Sequence, residues 1–126
     1  MRLFGKDRER PPADPENIKA VLQQLLAFLD GVELPSRRPQ TVDVLEFRDV
    51  VAYFTDEHPA DPAINSGALV CKPHPKGRLV FQVFLDDENE VCSGPSGAPY
   101  GRRLIARRFD DELTSYLGGR DLLIFR

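Results

Sequence analysis

Tryptophan is absent from this chain of 126 residues, methionine occurs once, and cysteine and histidine occur twice each. Two cysteines exclude a disulfide framework, and four soft ligands in all leave material for one tetrahedral zinc site at most. No apolar stretch approaches the roughly 20 residues that a membrane-spanning helix needs. The opening Met1-Arg-Leu-Phe-Gly-Lys-Asp-Arg-Glu-Arg10 also lacks the apolar core of a secretory signal. Cytoplasmic residence with reduced cysteines is therefore expected. Positive charge is not in excess either. With a net charge of -3 the chain has no global field to draw it to phosphate backbones or anionic lipid, although 13 of its 17 basic residues are arginine.

What is present is the composition of a folded domain. Hydrophobic residues at 41% and charged residues at 29%, over this length, predict one domain that folds alone. Residues 1–14 mix both charge signs and end in Pro11-Pro12-Ala-Asp14, which reads as a solvated, flexible tail, leaving 15–126 as a single α+β domain. Asp14 as N-cap, Pro15 at the first turn and Glu16 beside it open a helix. Ile18, Val21, Leu22, Leu25, Leu26 and Leu29 run along one face of it, and Asp30-Gly31 ends it. After a connection over Glu33–Gln40, Asp43 and Glu46 resemble a capping box for a second helix, with Phe47, Val50, Val51 and Phe54 at helical spacing before His58-Pro59. A strand through Val42 and Val44 is rejected on the ground that alternation breaks at Val50-Val51.

From Gly67 onward the period changes to two. Strands are expected at Ala68–Cys71, Leu79–Leu85, Glu90–Cys92 and Arg103–Arg107, with turns at Pro73–Gly77 and Asp86–Asn89 and a loop over Ser93–Gly101. Leu79, Phe81, Val83 and Leu85 share one face of their strand, and Val80, Gln82 and Phe84 the other. A short helix from about Asp110, with Phe109, Leu113, Tyr116 and Leu117 at spacings of four, three and one, stops at Gly118-Gly119. The apolar run Leu122–Phe125 then makes a core strand, placed either parallel beside the fourth strand or antiparallel beside the first. The expected architecture is two N-terminal helices, a mostly antiparallel meander of about four strands, a short helix and a final strand. Together the strands make a roughly five-stranded sheet with helices on one face.

Candidate chemistry is sparse. His58, Cys71, His74 and Cys92 are the ligand types of a zinc site, but no Cys-x-x-Cys knuckle is present and only Cys71-Lys-Pro-His74 is closely spaced. Cys71 with His74 could form a nucleophilic pair only if the turn at Pro73 redirected the chain, because residues three apart on a strand face opposite ways. Core cysteines and turn histidines are the simpler reading. Ser93, Gly94, Ser96 and Gly97 could offer backbone N–H groups to an anion, yet their loop lacks a Walker lysine and leads into a strand rather than a helix. Arg102, Arg103, Arg107 and Arg108 could clamp a phosphate or an acidic surface, with Arg103 and Arg107 on one strand face and Arg102 and Arg108 on the other. A solvated, edge-guarding pattern is the simpler reading of these too. The acidic turn Asp86–Glu90 lacks the ligand spacing of a calcium loop.

The balance favours a binding or regulatory module acting on another protein, without catalytic activity and without a cofactor. An enzyme built on Cys71 and a histidine, or an arginine-mediated binder of nucleic acid or a phosphorylated ligand, are the alternatives. A homodimer is compatible with the first reading, nucleic acid is disfavoured, and no membrane contact is expected.

Overall fold

The computed structural model describes residues 15–30 and 40–125. The elements are α1 (Pro15–Asp30), β1 (Gln40–Leu45), α2 (Phe47–Asp56), β2 (Ser66–His74), β3 (Gly77–Leu85), β4 (Gly101–Phe109), α3 (Asp111–Leu117) and β5 (Leu122–Phe125). The tail at 1–14, the Asp14 cap, the Gly31 stop and the connection up to residue 39 lie outside the described residues.

The two-fold alternation of Leu79 to Leu85 makes β3 the centre of a five-stranded sheet ordered β1-β4-β3-β2-β5. β2, β3 and β4 pair antiparallel in sequence, and β5 lies antiparallel beside β2, the second of the two placements its apolar run allowed. Only β1 against β4 is parallel. The turn between β2 and β3 is tight, with His74 facing Gly77 across it. Gly77 sits at φ 143°, and a Cβ there would stand 2.2 Å from the Ala106 carbonyl oxygen, so β4 can approach only a glycine at this point.

Both faces of the sheet are covered. Ala68, Val70, Phe81, Val83, Leu85 and Leu122 face α1, which contributes buried Leu25 with Val21, Leu22 and Leu26 around it. Leu69, Cys71, Val80, Phe84, Leu104 and Ala106 face α2 and α3, which contribute Phe47, Val50, Phe54, Leu113 and Leu117. The expectation of helices on one face is thus corrected. An amphipathic stripe shows that a helix buries one side, not which side of the sheet receives it.

Two further corrections concern strands. Gln40–Leu45 is a strand and separates the two helices expected to follow one another, while Asp43 lies inside it rather than in a capping box. Alternation ends at Leu45 and helical spacing starts at Phe47, so judging the whole stretch as one element hid the first half. Glu46 occupies the N-cap of α2 but makes no side-chain cap bond. Glu90–Cys92 forms no full strand. Val91 makes an isolated bridge to Leu85, and β1 supplies the fifth strand instead.

α3 begins and ends as its sequence indicates. The Asp110 side chain accepts from the Leu113 N–H, and Gly118 at φ 58° closes the helix in the left-handed conformation. Leu122 and Phe125 are buried and Leu123 and Ile124 half-buried, which places the C-terminal run in the core. No helix among the described residues is long and apolar enough to cross a membrane.

Candidate functional site

The feature hardest to explain by packing alone is Gln82. It is fully buried in the central strand, between Phe81 and Val83, on the face covered by α2. A buried carboxamide is costly unless its groups are bonded. Its nitrogen donates to the Val50 carbonyl of α2 at 3.1 Å, and its oxygen accepts both Nε and Nη2 of Arg102 at 2.8 and 2.5 Å. The pairing is fixed by strand register, since Gln82 and Arg102 are direct partners across β3 and β4. The Arg102 guanidinium also lies over the Tyr53 ring, its Cζ 4.4 Å from the ring centroid. Two elements, β3 and α2, therefore hold this β4 arginine in a single orientation.

Arg102 forms part of the wall of a groove of about 350 Å³ between β1, α2 and the start of β4. Val42, Val44, Leu45 and Leu104 supply apolar lining, and Asp49, Ala52, Tyr53 and Asp56, at successive turns of α2, line its helix side together with Glu57. Arg102 Nη1 has no hydrogen-bond partner among the described residues, and Nη2 has only a long contact of 3.5 Å to the Asp49 carbonyl besides Gln82. Asp49, Asp56 and Glu57 form no ion pair among the described residues. The groove thus offers directed donors at one point and three carboxylates around it.

Burial sets the electrostatics. It lowers the pKa of Arg102 from its ordinary value, while Tyr53, Asp49 and Glu57 act in the opposite sense. Burial pushes the Tyr53 phenol up to about 12, against the pull of Arg102 and with help from Glu57. Tyr53 therefore stays protonated at neutral pH and is no general base there.

Of the arginines singled out in the sequence, Arg102 and Arg103 separate as strand alternation requires, whereas Arg107 and Arg108, which alternation would also part, line one cleft at the strand end. Arg102 enters the groove, and Arg103 lies opposite Phe81 on β3. Arg107 and Arg108 sit exposed at the far end of β4, where they line a second cleft with Arg78 and Arg120. In the loop around Ser93 and Ser96, the Gly94 N–H donates to the Ala98 carbonyl and the Gly97 N–H to the Gly94 carbonyl, so both donors are spent within the loop.

Cys71 and His74 do not meet as a nucleophile and its base. Cys71 is buried on the α2 and α3 side, and burial pushes its thiol up to about 12, opposite to what an attacking thiolate needs. His74 is at the hairpin, where its Nδ1 accepts from the Lys76 N–H at 3.1 Å. His58 stands beside Phe84 with its ring edge-on, and Cys92 is a buried thiol outside any disulfide. Among the described residues no three His, Cys, Asp or Glu side chains gather to hold a metal ion.

Gln82, Tyr53, Asp49 and the α2 carboxylates are absent from the sequence-derived candidates. One signal was there to be read, a lone carboxamide inside the otherwise apolar run Leu79 to Leu85. Comparison with protein-family models, with curated proteins and with solved structures yields no match to this chain.

Proposed function

We propose that the protein is a cytoplasmic binding module without catalytic activity of its own, which holds a basic, extended segment of a partner protein in the groove between β1 and α2. The observation that carries this reading is the support around Arg102. A fully buried glutamine spends its oxygen on fixing a guanidinium that lines the groove and whose Nη1 has no hydrogen-bond partner among the described residues. A donor fixed in advance loses less entropy on binding.

The surrounding charge selects the guest. Arg102 is outnumbered by Asp49, Asp56 and Glu57, so an anionic group entering the groove meets net repulsion. A peptide carbonyl satisfies Nη1 without bringing charge, and a lysine or arginine of the same segment pairs with the α2 carboxylates. Half-buried Val42 and Val44 would take its apolar side chains. Among the described residues β1 ends the strand order, and an added strand would pair with its outer backbone groups.

The test compares decapeptides of alternating valine and lysine with decapeptides of alternating valine and glutamate by fluorescence anisotropy. The basic peptide should bind with a salt-dependent affinity that falls at least about tenfold in Glu57→Lys and in Ala52→Trp, which fills the groove. Equal binding of both peptides, or affinity indifferent to these substitutions, overturns the reading. Concentration-dependent dimerisation abolished by Ala52→Trp would replace the partner with a second copy of the chain.

A further inference from the structure

The second cleft lies at the opposite end of the sheet face and has a different chemistry. Its volume is about 310 Å³, and Arg78, Arg107, Arg108 and Arg120 line it together with Phe109 and Leu117. The fold brings these arginines together from three places. Arg78 starts β3, directly beside the end of β4 that carries Arg107 and Arg108. Arg120 is returned to the cleft by the left-handed Gly118-Gly119 turn that ends α3.

Two of the four are held in place. The Arg78 guanidinium lies over the Phe109 ring at 5.5 Å and pairs with Asp121. Arg120 donates its Nε to the Leu117 carbonyl at 3.2 Å, which leaves its terminal nitrogens free of that bond. Arg107 reaches Asp43 at 3.7 Å across two exposed side chains, a pair worth little in water. Arg108 makes no ion pair among the described residues. Among the described residues four guanidinium groups therefore pair with two carboxylates, a local surplus of two positive charges on a chain whose net charge is -3.

We propose that this cleft binds a phosphate monoester. A monoester dianion matches a surplus of two charges, and its terminal oxygens suit the forked donors of arginine. Asp43 and Asp121 flank the cleft, so the basic surface does not continue as the track that a polynucleotide backbone requires. Leu117 and Phe109 give the ester's organic part an apolar wall. The site is separate from the Arg102 groove, and neither reading depends on the other.

The test titrates the full chain with phenyl phosphate by calorimetry, with inorganic phosphate as competitor. Binding should strengthen from about pH 5 to pH 7 as the second proton leaves, since that pKa is near 6. It should fall at least about tenfold in Arg108→Glu and in Arg120→Glu, both exposed, and stay unchanged in Arg48→Ala, an exposed arginine outside both clefts. Thermal melting of the two Glu variants verifies that they remain folded. A phosphoserine peptide that binds more tightly than free phosphoserine upholds the site and assigns the ester to a modified protein, whereas equal affinities uphold it for a small molecule. No binding, binding unmoved by both substitutions, or tighter binding of a ten-nucleotide thymidine oligonucleotide through the same residues overturns the proposal.

Discussion

The carboxylate of Asp110 caps two helices at once. Its Oδ1 accepts from the Leu113 N–H inside α3 at 2.8 Å, and its Oδ2 accepts from the Phe47 N–H at the first position of α2 at 3.1 Å. The Asp110 N–H in turn donates to the Leu45 carbonyl at the end of β1. Glu46, the local N-cap of α2, is thereby relieved of a capping role it does not perform.

Asp110→Ala removes both acceptors and should destabilise the protein by about 1–3 kcal/mol, since one cap is worth about 0.5–2 kcal/mol. Asp110→Asn keeps one oxygen and should cost less. Urea unfolding measures both, and a loss in Asp110→Ala below about 0.5 kcal/mol, less than one cap is worth, would show that the double cap is energetically idle.

Gln82 and Arg102 should be strongly coupled. Gln82→Leu strips the half-buried guanidinium of its acceptor and the Val50 carbonyl of its donor, and should cost about 1–3 kcal/mol. In Gln82→Leu with Arg102→Leu, the loss should fall short of the sum of the single losses by about 1 kcal/mol or more. Additive losses would mean that the pair does not act as a unit.

Alkaline pH should weaken the fold. Cys71, held at about 12 against an ordinary 9.0, and Tyr53, held at about 12 against 10.0, both keep their protons in the folded state longer than in the unfolded one. The stability they supply is complete below pH 9 and is lost as pH rises from there toward 12. Each group adds a slope of up to about 1.4 kcal/mol per pH unit within its window. Denaturant unfolding between pH 8 and 11 should show this decline, with a shallower slope in Cys71→Ala. An unchanged slope in that variant would contradict the burial assigned to the thiol. Iodoacetamide at pH 8 should likewise modify Cys71 only after unfolding.

The C-terminal strand should be indispensable. Phe125 is buried, 5.0 Å from Phe54 and 6.0 Å from Phe47 between ring centroids, and β5 pairs along β2. Phe125→Ala should cost about 3–5 kcal/mol, and deleting residues 121–126 should abolish cooperative unfolding. A truncated chain that melts like the full one would place this segment outside the core.

The parts of the fold that were legible in sequence are those whose signals are local. The alternation of β3, the helix start near Asp110, the Gly118-Gly119 stop and the apolar spacing of α1 each reside within a few residues. β1 was not legible because its partner β4 is distant in sequence and because only Glu46 separates it from α2. The site divides in the same way. Arg102 is conspicuous among its neighbouring arginines, but the glutamine that fixes it and the α2 carboxylates around it meet it only through the register of β3 with β4 and the docking of α2.

The central claim is that the Arg102 groove receives an extended basic segment, and chemical-shift mapping tests it most directly. Titrating the ¹⁵N-labelled protein with the valine-lysine decapeptide should move the amide signals of Val42, Val44, Ala52, Tyr53 and Asp56, together with the Arg102 Nε–H, and leave α1 and β5 unmoved. Shifts spread over the whole surface, or gathered on β5 with Arg102 silent, would contradict it.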